Sequence, residues 1–246
     1  MTRGKWLALG LGIYVIGLLA SAPATLLDTA LQHSGDGRLR LAEARGTLWS
    51  GSGVLEIRSA DGSLGIGKVL AWRFQPGSIG SGGLLCEVAL EQDGRFVVAF
   101  TPVRIELADA TLNLPAAALG LALPQLAPLG PGGAARLRIE HLTIEHGGLR
   151  GRATLHWRDA VSTLAPGVPL GDYAVHLETG SSGTRVALET LQGALRLDGA
   201  GAWKNGARLQ FHATAHVAPE RYPQLAPLLR LIAVERHDGG FDLPFR

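Results

Sequence analysis

The sequence predicts a mainly β protein: an N-terminal single transmembrane helix followed by a glycine-rich antiparallel β domain, a sandwich or an open groove, with short helices. Three observations predict it. Arg3 and Lys5 precede a stretch from Trp6 to Ala22 that carries no charge, and no charge returns until Asp28. From Arg38 onward, apolar residues recur at every second position rather than every third or fourth. Glycine is abundant, at 34 of 246 residues, and brackets short runs of Leu, Val and Ala, which is the composition of strands and turns.

The N-terminal stretch, about 17 residues long, lies near the lower limit for crossing a bilayer. Lys and Arg stand only before it, so the positive-inside rule keeps the N-terminus in the cytoplasm and sends the rest across. Residues 1–5 are then a cytoplasmic N-terminus, 6–22 a transmembrane anchor, 23–35 a linker, and 36–246 a non-cytoplasmic β domain with an internal boundary at 115–133. Ala20-Ser21-Ala22 has the small-x-small look of a signal-peptidase site. The length of the apolar stretch and the rigid Pro23 just after it favour retention of the helix.

Thr25 to Gln32 continues as a short helix leading away from the anchor. Val54 to Arg58, a turn at Asp61-Gly62, and the row Leu64, Ile66, Leu70, Trp72 and Phe74 read as a hairpin. Leu84 to Leu90 follows, with Cys86 on its apolar side, and Asp93-Gly94 turns the chain into Phe96, Val98 and Phe100. Val103, Ile105 and Leu107 alternate with Arg104 and Glu106. Between Pro115 and Gly133, Pro124, Pro128 and Pro131 exclude a central strand, and Ala116 to Ala122 has room for a helical turn. Apolar parity then flips from Leu137 and Ile139 to Leu142 and Ile144, the signature of a β-bulge. Leu149 to Trp157 and Leu195 to Trp203 carry similar inward rows and suggest a repeated β unit. Asn205-Gly206 makes a hairpin into Phe211 to Val217, Pro219 to Ile232 is a short helix, and Phe241, Leu243 and Phe245 end the chain as a strand or tail.

The chemistry-bearing residues form no constellation. The formal charge is +2 and the basic residues are scattered singly, so a nucleic-acid surface is not indicated. One cysteine allows no intrachain disulfide, and Cys86 reads as a small buried hydrophobe. Of eight histidines, His156, His176, His212 and His216 fall on the polar parity of their strands. His212 and His216 lie roughly 13 Å apart along a strand, too far to share a metal. Glu140-His141 and Glu145-His146 face opposite ways. Ser50-Gly51-Ser52-Gly53 reads as a turn or bulge, and Leu170-Gly171-Asp172-Tyr173 as a turn whose tyrosine anchors the next strand. With no nucleophile elbow, phosphate loop or dinucleotide fingerprint, no catalytic, cofactor-binding or metal residue is assigned, no cofactor is expected, and the chain reads as a non-enzyme.

The order of features carries a resemblance. The short anchor is followed by Ala44-Arg-Gly-Thr-Leu-Trp-Ser-Gly51, then Leu112-Asn-Leu-Pro115 before the proline-rich break, Leu170-Gly-Asp-Tyr173, and Gly199-Ala-Gly-Ala-Trp203. Over nearly its whole length the chain resembles the general secretion pathway protein N family of the type II secretion system, least so in the tail Glu235 to Arg246. The resemblance implies a non-catalytic inner-membrane component facing the periplasm, with other secretion-system proteins as partners. It brings no active site with it. Another class stays open, an AsmA-like β groove that handles lipid between membranes, in which the inward Leu, Val and Gly row is left partly uncovered. A periplasmic hydrolase and an outer-membrane barrel fit less well, for want of a catalytic constellation and of aromatic girdles respectively.

Overall fold

The computed structural model describes the chain apart from residues 1–2, 35–36, 59–64, 76–81, 92, 123, 146–147, 182, 204–209, 238–239 and 246. The turns expected at Asp61-Gly62 and Asn205-Gly206 lie outside the described residues, although the strands on either side of each pair antiparallel, Arg58 opposite Gly65 and Ala202 opposite Gln210. The chain divides into two compact units, Met1–Arg95 and Phe96–Arg246.

In the first unit, α1 (Arg3–Ala20) occupies the uncharged stretch. Its apolar side chains Leu9, Leu11, Ile13, Val15, Ile16 and Leu18 are all exposed. Among the described residues no helix is long and apolar enough to cross a membrane. At 18 residues, α1 rises about 27 Å, and Arg3 and Lys5 occupy its first turn. After Pro23, α2 (Thr25–Ser34) lies along β1 (Leu39–Gly46), and β2 (Ser50–Arg58), β3 (Gly65–Gln75) and β4 (Leu84–Leu90) follow as a meander.

The helix α2 performs a task that an edge strand needs done, since an uncovered edge offers unpaired amides to other chains. Asp28 Oδ1 accepts the Leu41 amide of β1 at 2.8 Å, and Oδ2 accepts Gln32 Nε2 at 2.8 Å. These two hydrogen bonds, the Gln32 one foremost, hold the Asp28 carboxyl below the ordinary aspartate range. A carboxylate whose folded pKa is depressed stabilises the fold above its unfolded pKa, about 3.9, and loses that contribution as pH falls below it. Acidification through this window is therefore expected to loosen α2 from β1. Hydrogen exchange at the Leu41 amide should accelerate there, and Asp28→Asn should flatten the effect.

Alternation in β3 is as expected: Ile66, Leu70 and Phe74 are half-buried, Trp72 is buried, and the residues between them are exposed except for one. That one is Lys68, which shares the inward phase. Its Nζ lies 2.6 Å from Asp93 Oδ2, and the Asp93 side chain is fully buried. A carboxylate removed from water in this way needs its partner. Asp93 comes just before the turn glycine Gly94, whose φ is +89°, so the Asp93-Gly94 turn forms as its composition indicates. Cys86 is buried on the same sheet, and burial pushes its thiol pKa up, as suits a small hydrophobe.

The second unit is also a meander, β5 (Gly94–Phe100), β6 (Arg104–Pro115), β7 (Pro131–Glu145), β8 (Gly148–Ser162), β9 (Gly171–Gly180), β10 (Gly183–Gly193), β11 (Leu195–Trp203) and β12 (Gln210–Val217), with β14 (Phe241–Phe245) pairing β12 and β13 (Val234–Glu235) at the edge. The division between the units falls inside β5. β6 and β7 stay in register up to Pro115 opposite Ala134. The proline-rich stretch between them is a helical cap on that hairpin, made of Ala116–Ala118, α3 (Leu119–Ala122) and Pro124–Leu129. The parity flip is a bulge: Ile139 pairs Ala153 while His141 pairs Arg152, leaving Glu140 extra. Leu142 and Ile139 thereby keep to one face of the sheet.

One end of that face is covered by a helix. In α4 (Tyr222–Ile232), Leu225, Leu228 and Leu229 repeat at helical spacing and are buried with Leu195, Ala213, Ala215, Phe241 and Leu243. Farther along the same face, Leu137, Leu155, Val175 and Val186 are only half-buried. The C-terminal tail is integral to this core, since Phe241 is 0% exposed and pairs with Ala215.

Candidate functional site at the helix–sheet junction

The titratable side chains are dispersed. Among the described residues no group of three or more His, Cys, Asp or Glu is placed to hold a metal. His176, His212 and His216 are exposed, as their parity predicts, and His176 Nε2 lies 3.2 Å from Glu189 Oε1. His156 departs from the expectation of a solvent-facing side chain. It is half-buried, with an enclosed Nδ1 that has no hydrogen-bond partner among the described residues. The cause is local: its ladder neighbour Ala174 is itself 1% exposed, so the polar face is covered at that point. Glu140, at the bulge, is drawn into an exposed chain of ion pairs that crosses four strands, with Arg152 at 3.3 Å, Glu178 at 3.7 Å from Arg152, and Arg185 at 3.1 Å from Glu178. The charges there answer one another across the sheet, which leaves no basic patch.

The densest polar geometry lies instead around Ala44 to Gly51. Thr47-Leu48-Trp49 form the turn between β1 and β2, and Pro23 bridges to Thr47. Trp49 Nε1 donates to Leu19 O at 2.7 Å, Leu48 N to Ala22 O at 2.7 Å, and Ala24 N to Gly46 O at 3.2 Å. Ala22 and Ala24 are buried, so the segment that resembles a cleavage site is stitched to the sheet. On the far side of the turn, Trp72 Nε1 donates to Leu48 O at 3.0 Å and Phe74 N to Trp49 O at 2.7 Å. The Trp49 and Phe74 rings meet edge to face with centroids 6.0 Å apart.

Glycine is needed within this knot. A Cβ on Gly51 would meet Arg45 O at 2.3 Å and the Trp72 ring at 2.6 Å, so the indole lies where any side chain would. The Ser50-Gly51-Ser52-Gly53 run is thus strand rather than turn. The bulge it suggested sits opposite, where Ala42 pairs Val54 and Arg45 pairs Ser52, and Glu43 takes a left-handed φ of 51°.

A second latch joins β8, β9 and β10. The Leu170-Gly171-Asp172-Tyr173 run enters a strand, and its tyrosine anchors as predicted: Tyr173 is buried and its hydroxyl donates to Leu195 O at 2.9 Å. Burial, helped by the neighbouring Asp172 carboxylate, pushes the Tyr173 pKa far up, so the hydroxyl stays a donor. Asp172 accepts the Asp159 amide at 2.7 Å and Gln192 Nε2 at 2.6 Å. The first bond covers the strained bulge residue Asp159, whose φ is 49°, and the Trp157 ring meets that of Tyr173 at a 45° tilt with centroids 5.5 Å apart.

The motif segments at Ala44–Gly51 and Leu170–Tyr173 are therefore hydrogen-bonded knots of the fold. The family model described as Type II secretion system (T2SS), protein N, matches residues 37–244. The chain belongs to that family. Membership ties it to type II secretion, and the match reaches into β14, so the family's fold includes most of the tail that completes the core. No curated protein and no solved structure shows significant similarity to the chain.

Proposed function

We propose that this protein N family member is a non-catalytic, single-pass component of the bacterial inner membrane. Its N-terminus is cytoplasmic, its bulk is periplasmic, and it contributes to export of folded proteins from the periplasm across the outer membrane. The observation that carries the reading is α1 next to a domain matched to a secretion family: a helix with apolar side chains exposed all round has no polar face to give to water, and its only cations stand at the N-terminal end. The shortfall in length is small enough for local bilayer thinning to absorb. The β units would then present surfaces to other secretion-system proteins. A reporter fused after Arg246 should be active only outside the cytoplasm, and deletion of the gene should make type II substrates accumulate in the periplasm. Cytoplasmic reporter activity would overturn the topology.

The second reading, lipid handling, draws on the half-buried row Leu137, Leu155, Val175 and Val186. Unimpaired export in the deletion strain with altered outer-membrane lipid would favour it.

A further inference from the structure

The anchor helix is not hung from the first unit by a loose linker. A helix end leaves four carbonyls without intrahelical donors, and in water the solvent supplies the bonds. Here the chain supplies donors to several of them. Gly17 O accepts Ser21 N at 3.0 Å and Ser21 Oγ at 2.8 Å, Leu19 O accepts the Trp49 indole, and just past the helix Ala22 O accepts Leu48 N. Internal satisfaction of backbone groups is what the edge of a hydrocarbon layer demands, where water is scarce. The donor at Leu19 is an indole, a flat apolar body with one polar handle, which is the side chain enriched at membrane–water boundaries. Trp72 and Phe74 stand behind it, and Leu19 itself, on the last turn, is exposed.

We propose that the Gly46–Ser50 turn is an interfacial collar. It seats against the lipid headgroup layer where α1 leaves the bilayer, places the Trp49 indole at that boundary, and so holds the first β unit at a fixed height and orientation on the membrane. The collar rests on the anchored reading above and adds a surface to it: the docking face is the turn end of β1 and β2, and its partner is lipid.

The test uses the full chain with Cys86→Ala, reconstituted in vesicles of phosphatidylethanolamine and phosphatidylglycerol, carrying one spin-labelled cysteine at either Ser50 or Arg58. Both residues are exposed and terminate β2, roughly 26 Å apart at the rise of a strand. The Ser50 label should show several-fold lower access to a water-soluble nickel chelate and higher access to oxygen than the Arg58 label. Trp49→Phe, which keeps a ring but removes the donor, should move the Ser50 values toward those of Arg58 while the protein stays in the carbonate-washed pellet. Equal nickel access at both sites in pelleted protein would overturn the collar and leave the anchor standing. A Ser50 label shielded from both reagents would overturn it in favour of contact with a second copy. Release by the carbonate wash would overturn the anchored reading itself.

Discussion

Replacing Phe241 by alanine is expected to destabilise the second unit by about 3–5 kcal/mol, the cost of truncating a fully buried aromatic ring whose cavity closes only in part. The ring is 0% exposed, lies against Tyr222 with centroids 6.3 Å apart, and joins the leucine face of α4 to the end of the sheet. Against a total stability of order 5–15 kcal/mol, a loss of that size approaches unfolding. Urea titration of the detergent-solubilised chain should show a large drop in midpoint at nearly constant slope. Val234→Ala, an exposed change nearby, should stay within about 0.5 kcal/mol. A Phe241→Ala shift no larger than that of Val234→Ala would mean that α4 and β14 are not one core.

What the sequence reveals of this fold is mostly what has a period. The bulge at Glu140 is visible because a strand that must keep Ile139 and Leu142 on one face has no other way to accommodate an extra residue. Leu225, Leu228 and Leu229 announce α4 in the same way. Contacts between distant positions leave no such trace. Lys68 interrupts an apolar row, and only the folded chain shows why it is tolerated there, through a carboxylate 25 residues away at Asp93. The division into compact units leaves no such trace either, because compactness is a property of contacts: the units part inside β5. The junction was half readable. Its residues carry the family likeness, but that Trp49 grips Leu19 across 30 positions follows from no spacing rule. His156 failed for a related reason, since parity assigns a face and says nothing of what covers it.

The junction also determines where the chain can be cut. A fragment from Asp36 contains every strand, and on alternation alone it should fold by itself. The structure adds that β1 depends on what precedes residue 36: α2 covers its edge, Asp28 caps the Leu41 amide, and Ala22 and Ala24 are buried beside the β1–β2 turn. The Asp36 fragment should therefore expose a strand edge and self-associate, whereas one beginning at Ser21 should run as a soluble monomer by size-exclusion chromatography. Identical elution of the two would show that α2 is dispensable as an edge cover. Neither fragment should restore export to a deletion strain, because loss of the tether lowers the effective concentration of the domain at the membrane by orders of magnitude. Exchange of Trp6 to Ala20 for an unrelated apolar helix of equal length, with Ser21 to Ala24 kept, should restore it. Full export from the untethered Ser21 fragment would mean that α1 contributes nothing beyond delivery across the membrane.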